Sequence, residues 1–217
     1  KKSELYFNLM QLYAAQGDMD KALATLKEIQ TVFGMSESVA VYRFNLLQKE
    51  GKMEEAIASL EEYNKEYSSP YVLTTLADYQ MNMYNDSTAL AYYNEALDLA
   101  PDYVPAILGK AETLRMTRKY DDYFVELDKF ISVEDNPVGG KTDYLLAIVQ
   151  RTDPKFLNSF KDRMDQVMDK MYGMHPQDSS VLRLAGVYYW STDRREKSKE
   201  YFRKNVEINP ESVLASA

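Results

Sequence analysis

Three pairs of adjacent acidic residues have the side-chain types that general acid–base catalysis uses. They are Glu54 with Glu55, Glu61 with Glu62, and Asp121 with Asp122. Such catalysis needs titratable groups that converge on one substrate. The surrounding pattern is helical, and neighbouring residues on a helix do not share a face. The pairs therefore indicate solvated helix faces, and the sequence predicts no catalytic residue.

The chain has one histidine and no cysteine, which removes most other catalytic and metal chemistry. Disulfides, thiolate catalysis and cysteine metal sites are absent, and imidazole sites use two or three histidines. His175 lies at the predicted end of a helix, where it meets the last carbonyl groups. Gly139 and Gly140 form an isolated pair that indicates a loop between units. We predict a protein that is not an enzyme, with no metal and no cofactor.

The helices that would position these side chains are predicted from a repeat in the sequence. Gly17 and Gly51 begin two matched six-residue frames that lie 34 residues apart. Ala22, Ala56 and Ala89 follow the same rhythm, with steps of 34 and 33 residues. A period near 34 indicates helical hairpins that bury their apolar faces by stacking on neighbours. We predict a single domain over 1–217 with units at 3–36, 37–69, 70–103, 104–137, 138–178 (irregular) and 179–212.

Recurring positions in these units resemble the tetratricopeptide repeat family. The third unit carries the pattern most fully, with Leu73, Leu76, Ala77, Ala89, Tyr93, Ala96 and Pro101. The sixth repeats it with Leu182, Ala185, Gly186, Tyr189, Phe202 and Pro210. The resemblance covers nearly the whole chain. It implies an all-α, right-handed superhelical solenoid of about 12 helices.

The resemblance also implies a scaffold that binds a protein or peptide in the groove lined by the first helix of each unit. The positions that correspond to ligand contacts, with Ala14 beside the first two, are Phe7, Gln11, Val41, Asn45, Gln48, Thr74, Asp78, Asn82, Leu108, Glu112, Arg115, Arg183, Val187 and Trp190. Amides, hydroxyls and apolar groups of this kind bind a peptide backbone and its side chains. The Lys and Asn pair with which some relatives grip a terminal carboxylate is missing, since Phe7 and Gln11 occupy those positions.

Charge narrows the class of partner. The net charge is −8, which argues against a nucleic-acid backbone. Between Glu54 and Asp102 there are ten acidic residues and only Lys65 to oppose them, so this segment carries −9. Residues 178–210 carry +2. This asymmetry suits an asymmetric partner or self-association, although a solubilising surface has the same composition.

Two alternatives to a peptide scaffold stay open. An extracytoplasmic receptor for a glycan or small molecule would need an enclosed, aromatic-lined pocket. A structural spacer would show a featureless polar groove. Trp190 lies outside the consensus, and it faces either the groove or a junction with a further unit.

The fifth unit is overlong. We predict one long helix from Pro154, capped by Asp153, to about Gly173. Its methionines, including Met164, Met168 and Met171, indicate packing or, if exposed, a binding surface.

Compartment and chain ends are weakly constrained. No run reaches the ~18 apolar residues of a membrane span, so we predict a soluble chain, either cytoplasmic or periplasmic. The lack of cysteine favours a bacterial, exported protein. The chain opens at Lys1 without a methionine, and Pro210 to Ser212 resemble a helix start. We therefore expect a piece of a longer protein.

Overall fold

The computed structural model describes residues 2–210, which form thirteen α-helices and no strand. The chain divides into two compact units, Lys1–Arg118 and Lys119–Ala217. The boundary falls inside the predicted fourth repeat. The single domain and the six repeat bounds therefore stay a prediction.

The first compact unit contains seven helices. These are α1 (Lys2–Ala15), α2 (Met19–Phe33), α3 (Glu37–Lys49), α4 (Met53–Tyr67), α5 (Pro70–Asn82), α6 (Asp86–Leu99) and α7 (Val104–Met116). Three apolar clusters hold them together, and each joins one helical hairpin to the first helix of the next. Leu26 and Ile29 of α2, for example, share a cluster with Val39 of α3. This is the stacking that the 34-residue period predicts.

The second compact unit contains six helices. These are α8 (Tyr120–Ser132), α9 (Val138–Arg151), α10 (Pro154–Ser159), α11 (Lys161–Met174), α12 (Ser179–Ser191) and α13 (Arg195–Ile208). Helix α12 packs against α9, α11 and α13, and α8 packs against α11. The predicted helix start at Pro210 to Ser212 extends beyond the described residues.

The single long helix predicted from Pro154 is wrong, because two helices occupy this segment. Asp153 does cap the first of them, since its carboxylate accepts a hydrogen bond from the Lys155 amide at 2.7 Å. The break comes at Phe160, whose backbone leaves helical geometry at φ −110° and ψ 24°. The Phe160 ring packs against Tyr120 and Phe156, with ring centroids 4.6 and 4.7 Å apart. The local helical periodicity of the sequence does not reveal this tertiary contact. The break divides the segment into two helices, so the described residues form thirteen helices rather than about 12.

The loop predicted at Gly139 and Gly140 is also wrong, because both residues lie in the first turn of α9. Glycine inside a helix costs only about 0.5–1 kcal/mol relative to alanine. Leu145 and Val149, further along α9, are buried. Their burial outweighs the local preference of the glycine pair.

One turn geometry recurs at five links between consecutive helices. Gly17 and Gly51 adopt φ values of 81° and 76°, and Tyr84, Arg118 and Asp193 adopt 59°, 60° and 57°. All five therefore occupy the left-handed region, which glycine tolerates and which strains other residues. At Tyr84 and Asp193 the turn survives the loss of its glycine because the helices on either side pack together, α5 with α6 and α12 with α13.

We expect Tyr84→Gly to raise the free energy of unfolding by about 0.5–1 kcal/mol. The change relieves the strain of the left-handed backbone, and the Tyr84 side chain is 81% exposed, so little burial is lost. Urea denaturation followed by circular dichroism measures the effect. The reciprocal variant Gly51→Tyr should lower stability by a similar amount. Equal stabilities in all three proteins would show that the position carries no strain.

Candidate functional site

The first helices of the repeats in the first compact unit form the candidate site. A cleft of about 380 Å³ lies between α1 and α3. Its lining residues are Met10, Gln11, Ala14, Ala15, Tyr42, Asn45, Leu46, Gln48 and Lys49. Met10 and Leu46 are buried and form its apolar floor, whereas Gln11, Asn45 and Gln48 are exposed. The cleft therefore combines an apolar base with amide groups that donate and accept hydrogen bonds.

Tyr42 organises one side of this cleft. Its hydroxyl accepts a hydrogen bond from Gln11 Nε2 at 2.8 Å. The Phe7 and Tyr42 rings lie 5.4 Å apart, tilted by 38°. Tyr42 is not a ligand position of the family pattern, so that pattern does not predict its role. Its location three residues before Asn45 on a helix was the signal that it shares that face.

The structure brings four of the sequence-predicted residues, together with Ala14, to this cleft or its wall. Gln11, Asn45 and Gln48 line it, and the Phe7 ring contacts the Tyr42 ring. Val41 is half-buried on α3. The amide chemistry that the sequence places on α1 and α3 thus converges in one location.

The three predicted residues on α5 differ in how far they are exposed to solvent. Thr74 is only 5% exposed, because its helix packs closely at that position, so it offers little surface to a ligand. Asn82 is exposed at the end of α5. Asp78 is exposed, and its Oδ1 accepts a hydrogen bond from the Tyr93 hydroxyl at 2.5 Å.

Tyr93 fixes the orientation of this carboxylate. It is fully buried, and its ring lies so close to α7 that a Cβ atom on Gly109 would fall 2.4 Å from it. Burial raises the pKa of Tyr93, and the hydrogen bond to Asp78 raises it further. Loss of surrounding water raises the pKa of Asp78 above its ordinary value, and the Tyr93 hydrogen bond offsets part of that rise.

The predicted residues on α7 are largely engaged with one another. Arg115 binds Glu112 through two contacts, Nε to Oε2 at 2.8 Å and Nη2 to Oε1 at 2.5 Å. Leu108 is half-buried. The acid on α7 is therefore neutralised within the chain, unlike Asp78.

The three predicted residues in the second compact unit lie on α12. Arg183 is exposed and Val187 is half-buried. Trp190 is 60% exposed, and the Arg195 guanidinium lies 5.3 Å from its ring centroid. Which surface Trp190 serves stays a prediction.

Two clefts of the second compact unit lie beside α11. One of about 420 Å³ is lined by Phe124, Val125, Asp128, Lys129, Arg163, Gln166 and Val167. The other, of about 490 Å³, is lined by Asn158, Ser159, Phe160, Lys161, Asp162, Arg163 and Gln166. Each has one aromatic residue among charged and amide groups. Neither has the aromatic lining that a glycan receptor would use.

The three methionines named for the fifth unit do not form a binding surface. Met164, Met168 and Met171 are 1%, 2% and 0% exposed. A binding surface would require these side chains to be exposed. They are buried, so they pack in the core of the second unit.

Within residues 2–210, no group of three or more His, Cys, Asp or Glu side chains is arranged to hold a metal ion. His175 is the residue directly after α11, as predicted. None of the described helices is both long enough and apolar enough to cross a membrane.

Comparisons with known proteins identify the repeat. Two family models match, both described as tetratricopeptide repeat, over residues 181–212 and 4–33. No curated protein matches the sequence.

Solved structures share the fold at low sequence identity. The C-terminal part of a TPR repeat-containing protein from Cytophaga hutchinsonii is 12% identical, with 96% of this chain and 84% of that one covered and a TM-score of 0.62. Pseudomonas aeruginosa pilF is 15% identical, with coverages of 97% and 93% and a TM-score of 0.58. A tetratricopeptide repeat protein from Parabacteroides merdae is 15% identical, with coverages of 95% and 79% and a TM-score of 0.54. These similarities establish an all-α fold of helix–turn–helix repeats.

Proposed function

Because the chain is a tetratricopeptide repeat protein, we propose that it acts as a non-enzymatic scaffold whose first compact unit binds an extended peptide segment. The fold is consistent with a protein-interaction scaffold, and proteins of this family bind proteins or peptides. The proposal that the first compact unit binds an extended peptide is supported by the cleft between α1 and α3.

The observation that carries the proposal is the chemistry of that cleft. Its apolar floor, Met10 and Leu46, suits one apolar side chain of the segment. Gln11, Asn45 and Gln48 surround this floor with amides, and each amide both donates and accepts. Such groups pair with the N–H and C=O groups of an extended main chain. A peptide satisfies both features at once, whereas a featureless polar groove would suit a spacer.

The direct test is a selection of short random peptides displayed on phage against the purified chain. Binding of the selected peptides is then measured by calorimetry for wild type and for Ala14→Trp. The indole side chain fills the cleft from α1, so we expect affinity to fall by at least about tenfold, or ~1.4 kcal/mol. Ala24→Trp is the matched control, because Ala24 is exposed on α2.

Asn45→Ala guards against a folding defect in the tryptophan variant. Asn45 is exposed, so its removal should leave the melting temperature unchanged while it weakens binding. A single lost hydrogen bond is worth about 0.5–1.5 kcal/mol. If no peptide is selected, or if Ala14→Trp and Asn45→Ala both bind like wild type, the proposal is wrong.

A further inference from the structure

Asp78 is a carboxylate on α5, in the row of first helices (α1, α3, α5 and α7), and it has no cationic partner among the described residues. Its hydrogen-bond partner is the neutral hydroxyl of Tyr93, at 2.5 Å. Tyr93 is held in turn by close packing against Gly109. The carboxylate is therefore fixed in place but not neutralised.

Some acids of the first compact unit pair with cations within the chain. Glu112 binds Arg115, and Asp18 binds Lys21 at 2.6 Å. Asp78 also differs because loss of water raises its pKa. Although the residue as a whole is exposed, its oriented carboxylate has lost part of its water without gaining a cation, which costs free energy.

The charge of the surroundings points the same way. Asp78 lies in the segment from Glu54 to Asp102, where Lys65 is the single basic residue. Glu37, on α3, contributes a further negative charge close enough to act on Tyr103, as Asp78 does. Helix α7, which packs against α5, adds Lys110 and Arg115 but also Glu112, so acidic residues still predominate and an approaching cation is attracted.

We infer that the bound segment presents a lysine or arginine side chain to Asp78, an inference that rests on the proposed function. Helices α1 and α3 share one apolar cluster, and α3 and α5 share the next, so these first helices follow one another along the row. A segment that places an apolar side chain between α1 and α3 and continues along the row next reaches α5, which carries Asp78. The partner is thus a peptide that combines an apolar residue with a nearby basic residue.

A double-mutant cycle on a selected peptide tests this inference. The basic residue of the peptide is replaced by glutamine, and the protein carries Asp78→Asn, which keeps an oxygen that accepts from Tyr93. We expect selected peptides to be enriched in lysine or arginine. Asp78→Asn should weaken the basic peptide by about tenfold and leave the glutamine peptide nearly unaffected. Asp98→Asn, an equal loss of charge at an exposed position on α6, should weaken neither.

A second readout separates contact from a structural role. Asp78→Asn should not lower the melting temperature, because it removes an uncompensated charge. Selection of peptides without basic enrichment, or an equal effect of Asp78→Asn on both peptides, overturns the inference and leaves the proposed function intact. Failure to select any peptide overturns both.

Discussion

Gly109→Ala is expected to lower the free energy of unfolding by about 1–3 kcal/mol. Alanine is ordinarily the better residue in a helix by about 0.5–1 kcal/mol. Here the added Cβ atom would lie 2.4 Å from the Tyr93 ring, and that ring is fully buried with its hydroxyl bonded to Asp78. Relief of the clash requires Tyr93 or α7 to move. Urea denaturation measured by circular dichroism gives the size of the effect.

Gly173→Ala is the matched control for this experiment. Gly173 also lies in a helix, α11, but a Cβ atom there would meet nothing within 4 Å. It should raise stability by about 0.5–1 kcal/mol. If Gly109→Ala is as stable as wild type, the Tyr93 ring is free to move, and the fixed orientation of Asp78 is then no longer supported.

The second large effect is expected in the other compact unit, at Asp165. Its Oδ1 accepts from the Tyr188 hydroxyl and its Oδ2 binds Arg194 Nη1, both at 2.7 Å. The Arg194 guanidinium also lies 4.5 Å from the Tyr189 ring centroid. Asp165→Ala leaves the half-buried Arg194 cation without its carboxylate partner, and the buried Tyr188 hydroxyl keeps only the Lys161 carbonyl oxygen, at 3.3 Å. We expect a loss of about 2 kcal/mol at neutral pH, measured by the same denaturation.

The acid dependence of this loss has a definite sign. Burial alone would raise the pKa of Asp165, but hydrogen bonds from Arg194 and Tyr188 hold it below its ordinary value. A lowered pKa means that the ionised carboxylate stabilises the fold at pH values above the unfolded pKa of about 3.9. That stabilisation is lost as the pH falls through the folded pKa.

The stability difference between wild type and Asp165→Asn should therefore shrink below about pH 4. Asparagine keeps an acceptor for Tyr188 and removes the charge, so this variant isolates the ionic part. A difference that does not vary with pH would mean that the charge contributes nothing.

The fold was predictable from sequence because its signals are local and repeated. Matched frames at Gly17 and Gly51, 34 residues apart, indicate hairpins whose stacking the apolar clusters then realise. The break at Phe160 was not predictable, since Pro154 and the following residues keep helical periodicity through it. It depends on the contact with Tyr120, which lies 40 residues earlier in the sequence.

The candidate site was predictable in part for a similar reason. Helical spacing places Gln11 and Asn45 on the first helices, and the cleft between α1 and α3 contains both. Helical spacing does not show that Thr74 is buried or that Tyr42 joins Gln11. Both depend on how closely neighbouring helices pack, and the distance between two helices cannot be predicted from the residue pattern of a single sequence.

Oxidation of the methionines of α11 measures how often the core of the second compact unit opens to solvent. Hydrogen peroxide converts an accessible thioether to a sulfoxide. Met174 is 41% exposed, whereas Met164, Met168 and Met171 are buried. Met174 will therefore be oxidised in the native state, and the other three only when the core opens. Because the sulfoxide is a covalent modification that only a reductase reverses, each opening during which a buried methionine is oxidised leaves a product that mass spectrometry detects.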